Sequence, residues 1–386
     1  MTPPPGDGVG LARLLVRIDS RNPGLVPGGP GEAGIARALA VVLEQWGFRV
    51  ALQEVAPGRF NVIARVGEAR GNAPSLMFNG HIDVVDVAGM LHAPFDGFTR
   101  DGRLYGRGAT DMKGGVAAMC AAAWRAAEAG LAGEVVVAAV ADEEFESIGT
   151  RGLIASGARA DACIVTEPTR LAIAPAHRGF TWTEVRVHGR AAHGSRYDVG
   201  IDAIRHAGLL LAELDRLEGT ELIRRTHPLL GHASLHAATI QGGGAWSTYP
   251  DACTLRVERR TLPGETPEQA LGEMRAACDR IGSRTPGFHA DVAHVFSQWP
   301  IDVAVDAPVV AALRSAMESE REPVAIDGLS AWTDAALLNA AGIPAVCYGP
   351  GDIAMAHSAE EWVVEAEIER ATTVLARLAR DWCGAA

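Results

Sequence analysis

Histidines and carboxylates recur directly after short apolar runs of this 386-residue chain, and together they could hold divalent metal ions. His81 and Asp83 follow one such run, and Glu143 and Glu144 follow another. In extended chain, residues i and i+2 face the same side, so Asp83 can accept the second ring N–H of His81 and fix its orientation. Neighbouring residues face opposite sides. Glu143 and Glu144 can therefore act differently, one on a metal ion and the other towards the substrate.

Three further candidates stand at comparable positions. Asp111 precedes an alanine-rich stretch, Glu167 ends an apolar run, and His357 lies in a glycine-rich loop. Each has an ordinary alternative role when taken singly. Asp111 could cap a helix, and isolated residues such as Glu167 and His357 are mostly surface groups. The acidic residues around Glu143 and Glu144 could likewise form a solvated loop.

The combination favours a metal centre. Two histidines and three carboxylates, with no cysteine among them, suit zinc, cobalt or manganese. Five ligands exceed what one open catalytic zinc needs. A carboxylate that bridges two ions about 3.5–4 Å apart would account for the surplus.

The elements that must position these residues alternate between strand and helix. Apolar runs predict strands at 75–79, 134–141, 161–166 and 344–348, and periodic runs predict helices at 113–129 and 364–382. Such strands, apolar on both faces, indicate a mixed, largely parallel sheet covered by helices on both sides. In open sheets of this kind, ligands bind at the carboxyl ends of the strands.

The pattern changes near residue 178. Alternating strands are predicted at 181–188, 233–241 and 251–259, with helices near 201–217 and 267–281. Alternation indicates an antiparallel sheet with one polar face. The sequence therefore predicts an α/β catalytic domain (1–177 and 298–386) interrupted by an inserted α+β domain (178–297).

Composition excludes several partner classes. The formal net charge of −12 argues against a nucleic-acid or anionic-membrane surface. No apolar run is long enough to span a membrane, and residues 1–6 do not resemble a secretory signal. The six cysteines are scattered, and four of them lie in apolar stretches. We expect free thiols in a reducing compartment, with the cytoplasm as the location.

The chain resembles the M20 family of metallopeptidases and deacylases over essentially its whole length. This family includes acetylornithine deacetylase, succinyl-diaminopimelate desuccinylase, aminoacylase and the glutamate carboxypeptidases. Five family motifs occur in order: G-H-x-D at 80–83, G-R-G-x-x-D-M-K-G-G at 106–115, D-E-E at 142–144, E-P at 167–168, and G-P-G followed by His at 349–357. Jointly they are highly specific.

The resemblance implies a zinc-exopeptidase-like catalytic domain with two divalent ions, zinc first and cobalt or manganese as alternatives. It places His81, Asp111 and Glu167 on one ion, and Asp111, Glu144 and His357 on the other, with Asp111 bridging. Glu143 would be the general base, and Asp83 would orient His81.

In the inserted domain, the resemblance implies a lid that also forms a homodimer. His193 would reach the substrate carbonyl across the dimer, and Arg260 would bind the substrate carboxylate, as its planar fork suits. Ser247 and Gly351 are the other implied substrate contacts. The chain departs from the family at Tyr197, Asp202 and Ser247, where relatives often have Pro, Asn and Asn. These departures weaken a specific substrate assignment.

The resulting expectation is a hydrolase that cleaves the amide bond of a small N-acyl amino acid, as acetylornithine deacetylase does. A dipeptidase or carboxypeptidase with the same metal centre is the alternative. A catalytically silent binding protein is a remote alternative, because the chain keeps Glu143 and every predicted metal ligand. No G-x-S-x-G motif supports a serine hydrolase.

Overall fold

The computed structural model of the protein describes residues 2–68 and 73–384. The α-helices in these ranges are α1 Gly8–Val16, α2 Ala33–Gln45, α3 Gly114–Glu128, α4 Ile148–Ala155, α5 Ala203–Thr220, α6 Pro267–Gly282, α7 Pro308–Ser319, α8 Ala335–Ala340 and α9 Glu365–Cys383. Short 3₁₀ turns lie at Leu222–Arg224 and Ile353–Met355, and a π-type turn lies at Ala109–Lys113. None of these helices is long and apolar enough to cross a membrane.

The strands of the same ranges form one large sheet and three smaller ones. They are β1 Arg49–Ala56, β2 Arg59–Gly67, β3 Ser75–His81, β4 Thr99–Arg100, β5 Arg103–Tyr105, β6 Glu134–Val140, β7 Ala162–Val165, β8 Ile173–His177, β9 Gly179–His188, β10 Thr226–His227, β11 Gly231–His232, β12 Ser234–Gly242, β13 Ala252–Thr261, β14 His289–Gln298, β15 Ile301–Asp302, β16 Ile326–Leu329, β17 Ala345–Cys347 and β18 Trp362–Val364.

The chain divides into two compact units. The first comprises the described residues of Met1–Pro175, Val303–Asp327 and Thr333–Ala386, and the second comprises Ala176–Asp302 and Gly328–Trp332. The predicted insertion at 178–297 falls within the long segment of the second unit. The return of 328–332 to that unit has no counterpart in the predicted boundaries.

The sheet of the first unit runs in the order β1-β2-β6-β3-β7-β17-β8. Its centre is parallel, since β3 pairs in parallel with β6 and β7, and β17 pairs in parallel with β7. All but the first residue of β6 are buried, as expected of a strand covered on both faces. Helix α3, rich in alanine, is mostly buried and packs against α1 and α9. The predicted mixed α/β class is confirmed.

The second unit is an antiparallel sheet in the order β12-β13-β9-β14, with α5 and α6 packed on one face. Alternate residues of β9 and β13 are buried against these helices. Thr266 begins α6 with a reciprocal capping box to Gln269. The sequence does not predict β14, because a register shift between His294 and Phe296 interrupts the alternation of its residues. It also missed α4.

Every cysteine of the chain is buried and free. Burial raises the pKa of the Cys278 thiol to about 11, which makes it a poor nucleophile. The expectation of buried free thiols is therefore met.

Candidate metal centre

The carboxyl ends of three parallel strands in the first unit meet at one edge of its sheet. His81 is the last residue of β3, Glu143 and Glu144 follow β6 after two intervening residues, and Glu167 lies just after β7. All three strands are hydrogen-bonded neighbours in the sheet. Sequence position alone therefore brings these side chains to the same edge.

Asp111 joins them from the turn that precedes α3, where the Asp111–Met112 peptide bond is cis. His357 joins them from the loop after β17, with a left-handed backbone (φ 59°) that is uncommon for a non-glycine residue. Such conformations concentrate at functional sites.

The five predicted ligands form two groups that share Asp111. In the first, His81 Nε2 lies 3.0 Å from Asp111 Oδ1 and 3.9 Å from Glu167 Oε1. In the second, His357 Nε2 lies 3.4 Å from Asp111 Oδ2 and 3.1 Å from Glu144 Oε2. Within each group, one donor atom per residue lies within 4.8 Å of the others. Asp111 presents a different oxygen to each group, as a bridging carboxylate would.

The charges of this cluster do not balance among its own side chains. Four carboxylates, all a tenth or less exposed, meet only two imidazoles: Asp111, Glu143, Glu144 and Glu167, against His81 and His357. In the described part of the chain, no arginine or lysine pairs with any of these four carboxylates. Buried anions of this kind need cations, and hard or borderline divalent ions match the donor set.

The pKa shifts follow from burial and crowding. Burial raises the pKa of Glu143, Glu144 and Glu167, and neighbouring carboxylates raise it further. Burial alone would lower the pKa of His357, but hydrogen bonds to Asp111 and Glu144 outweigh it and raise the pKa to about 11. The same imidazoles hold the pKa of Asp111 below its usual range against the effect of burial.

Asp83 organises the centre differently from the expected single hydrogen bond. His81 Nδ1 lies 3.0 Å from the backbone carbonyl of Asp83 and 3.6 Å from its carboxylate. The carboxylate instead accepts the backbone N–H groups of Glu143 (3.1 Å) and Glu144 (3.3 Å). Asp83 thus fixes both the imidazole and the acidic loop.

A buried network of hydrogen bonds and ion pairs next to this loop was not predicted from the sequence. Asn22 donates to Asp83 Oδ2 at 2.7 Å and to Asp142 Oδ1 at 3.0 Å. Arg59 pairs with Asp142 at 2.8 Å and also with the buried Glu32. Nothing in the spacing of these residues marks them, because they meet only in the folded chain.

Glu361 is a further residue of the centre that the sequence does not predict. Its Oε1 accepts the backbone N–H groups of Thr110 and Asp111, each at 3.1 Å, and its Oε2 pairs with Arg107 at 2.6 Å. All of this is buried. Lys113, the only lysine of the chain, is also fully buried beside this turn and donates to the carbonyl of Ile18 at 2.8 Å.

Two glycines allow the turn and α3 to approach the end of β7. A Cβ on Gly115 would lie 1.9 Å from the carbonyl oxygen of Thr166, and one on Gly349 would lie 2.4 Å from the same atom. No side chain fits at these distances. The two glycines therefore bring Asp111 and the loop of His357 close to Glu167.

The other predicted substrate contacts are His193, Ser247, Arg260 and Gly351. The first three belong to the second unit, whereas Gly351 lies in the first, with a left-handed φ of 91°. His193 is exposed, and its Nδ1 lies 2.8 Å from Ser195 Oγ. Its backbone forms a bridge with Thr248, next to Ser247.

Arg260 lies in an aromatic environment. Its guanidinium carbon is 5.6 Å from the ring centre of Phe180, and its Nη2 donates to the carbonyl of Ser330 at 2.8 Å. Phe180 in turn contacts Trp182 and Trp332. Burial lowers the pKa of Arg260.

Comparison with known proteins gives a consistent result. The profile of the family described as peptidase family M20/M25/M40 matches residues 77–381. Acetylornithine deacetylase of Myxococcus xanthus is 32% identical over 338 residues, which cover 86% of this chain and 87% of the relative. A Bacillus subtilis deformylase of N-formyl-4-amino-5-aminomethyl-2-methylpyrimidine is 29% identical over 404 residues, with 97% and 94% covered.

Solved structures share the fold at low sequence identity. A tripeptidase from Staphylococcus aureus superposes with a TM-score of 0.80 at 18% identity, covering 99% of this chain and 100% of that one. Human carnosine dipeptidase 1 gives 0.75 at 20%, with 97% and 96% covered. A Bacillus subtilis protein described as a dinuclear metal binding peptidase gives 0.73 at 18%, with 96% of each chain covered.

Proposed function

Since this chain belongs to peptidase family M20/M25/M40, we propose that it uses two divalent ions to hydrolyse the amide bond of a small N-acyl amino acid. Family membership makes it a metal-dependent hydrolase. The choice of an N-acyl amino acid rests on the 32% identical acetylornithine deacetylase and on Arg260 as a carboxylate ligand.

The observation that carries the proposal is the sharing of Asp111 between two ligand groups. Each group offers one imidazole and two carboxylates, and Asp111 contributes a separate oxygen to each. We assign His81, Asp111 and Glu167 to one ion, and Asp111, Glu144 and His357 to the other. Zinc is the first choice, and cobalt or manganese also suit these donors.

Glu143 is the proposed general base. Its Oε2 lies 3.9 Å from His81 Nε2, so it borders the first ligand group without belonging to either. Ions in this centre would lower the pKa of a water molecule towards neutrality. Glu143 would accept the proton of that water as its oxygen attacks the amide carbonyl. The same carboxyl group would then transfer the proton to the leaving nitrogen as the C–N bond breaks.

The second unit would supply substrate recognition. Arg260 would bind the carboxylate of the substrate, and His193 would donate a hydrogen bond to the carbonyl oxygen as negative charge develops there. Ser247 and Gly351 complete the proposed contacts. A serine at 247 has a shorter reach than asparagine, so we expect selectivity to differ from that of relatives with asparagine.

We also propose that the protein is a homodimer formed through its second unit, and that it acts in the cytoplasm. Strand β12 is at the edge of its sheet, and its last seven residues are exposed. An open edge of this length is a template for pairing with another strand. Light scattering on the purified protein would give the mass, and a monomer at micromolar concentration would refute the dimer.

The function is tested by hydrolysis of N-acetyl, N-succinyl and N-formyl amino acids beside dipeptides. Each assay is run with zinc, cobalt or manganese, with and without chelator. Chelator-sensitive release of the amino acid from an N-acyl substrate supports the proposal. Preference for dipeptides would support the dipeptidase or carboxypeptidase alternative. Absence of turnover with two bound ions would refute the substrate class.

A further inference from the structure

A second cluster of metal-ligating side chains lies on the second unit, on the edge strand β14 and its neighbour β9. His188 and His289 are directly opposite each other across the two strands, and Asp291 stands two residues along β14. Residues i and i+2 of a strand face the same side, so all three side chains share one face of the sheet. None of them belongs to the metal centre, which lies in the first unit.

The three donor groups are already close together. His188 Nε2 lies 2.7 Å from Asp291 Oδ2, and His289 Nε2 lies 3.8 Å from Asp291 Oδ1. The two imidazole rings are stacked with their centres 5.0 Å apart. One donor atom from each residue lies within 4.8 Å of the other two. Ligands about 2.1 Å from a tetrahedral ion are roughly 3.4 Å apart, so small side-chain rotations would suffice.

We propose that His188, His289 and Asp291 bind a third divalent ion of the zinc, copper or nickel type. Two imidazoles and one carboxylate are the ligands that these borderline ions prefer, whereas calcium and magnesium prefer oxygen alone. His289 and Asp291 are about two-thirds exposed, which leaves a coordination position open to water. The ion would tie the edge strand to the rest of the sheet.

The surrounding charges both help and oppose this site. Asp291 is held ionised, because the hydrogen bond from His188 lowers the pKa of its carboxyl group. Arg186 opposes binding, since it is the cross-strand partner of Asp291 and adds a positive charge nearby. Removal of that charge should therefore tighten binding, an effect opposite to that of removing a ligand.

The test is a count of zinc ions per chain after equilibrium dialysis of the full-length protein against micromolar free zinc. The variant His289→Ala should bind one ion fewer than the unaltered protein. His294→Ala is the matched control, because His294 lies on the same strand but bonds Ser297 outside the cluster. That variant should keep the full count. Arg186→Gln should keep the full count and bind the third ion several-fold more tightly.

Equal zinc counts for His289→Ala and His294→Ala would overturn the proposal. So would the same count in the unaltered protein and in His289→Ala. Because the readout is a difference between variants, it does not depend on how many ions the first unit holds. All three altered side chains are on the surface of the second unit, and hydrolysis should remain at its normal rate.

Discussion

Glu361 Oε1 accepts the backbone N–H of Asp111 at 3.1 Å, so a buried carboxylate far along the chain fixes the residue shared by both ligand groups. The variant Glu361→Gln keeps the shape but lowers the charge on the acceptor. Groups that orient metal ligands typically contribute about 10–100-fold in affinity, so we expect this variant to bind zinc more weakly by a factor in that range. Competition with a chromogenic chelator would measure it.

Glu360→Gln is the control for this variant. Glu360 is the exposed neighbour of Glu361, and the same change of charge there should leave zinc affinity unaltered. Equal zinc affinities of the two variants would mean that Glu361 does not help to position Asp111.

Glu143 and Glu144 are adjacent, but substitutions at the two positions should have different effects. Glu143→Gln should retain both ions and lose turnover by at least about 10²–10⁴-fold, because only the proton acceptor is removed. Glu144→Ala should lose one ion, because its carboxylate lies 3.1 Å from His357 Nε2 in the second ligand group. Metal analysis and kcat measured on the same preparations separate the two effects. Full occupancy in Glu144→Ala would refute the ligand assignment.

Gly115 should tolerate no side chain. Its Cβ would meet the backbone carbonyl of Thr166 at 1.9 Å, and backbone cannot rotate away. We expect Gly115→Ala to destabilise the protein by about 2 kcal/mol or more and to weaken metal binding, because the clash separates Asp111 from Glu167. Thermal unfolding with and without zinc is the measurement.

The matched control is Gly208→Ala. Gly208 is also helical, but nothing lies within 4 Å of its hypothetical Cβ. Alanine there should stabilise α5 by about 0.5–1 kcal/mol through its lower backbone entropy. Destabilisation of similar size at both positions would mean that the packing at Thr166 is not the cause.

The ion pairs of Glu213 should make the stability of the second unit sensitive to acid. Its buried carboxylate accepts hydrogen bonds from Arg216, Arg280 and Arg284. Burial would raise the pKa of Glu213, but the arginines outweigh it and lower the pKa to about 2. A lowered folded-state pKa gives stability that is present above the ordinary value and lost as the pH falls towards 2.

We expect the free energy of unfolding to fall by about 1–2 kcal/mol between pH 5 and pH 2 through this group, since partly exposed arginines are screened by solvent. Glu213→Gln should be less stable at pH 6 and should lose this part of the pH dependence. Asp215→Asn, an exposed change on the same helix, should behave as the unaltered protein does. Denaturant unfolding at several pH values would show whether the two variants differ.

The sequence predicts the metal ligands and Glu143 because the ends of the apolar strands can be recognised in the sequence. His81, Glu143 and Glu167 each follow an apolar run, and parallel strands bring their ends together. Asn22 and Glu361 leave no such trace, because their roles arise from contacts with residues distant in sequence. Strand β14 is not predicted because the register shift between His294 and Phe296 interrupts the alternation on which strand prediction depends.

The burial of Lys113 has a consequence for chemical modification of the protein. Lysine is the side chain that acetylation, methylation and ubiquitination target, and this chain offers only one, with no exposed surface. Apart from histidine, every other basic side chain is an arginine, and its charge persists throughout the physiological pH range. The surface charge of the folded protein therefore cannot be adjusted through lysine, and proteases that cleave after lysine have a single target that only unfolding exposes.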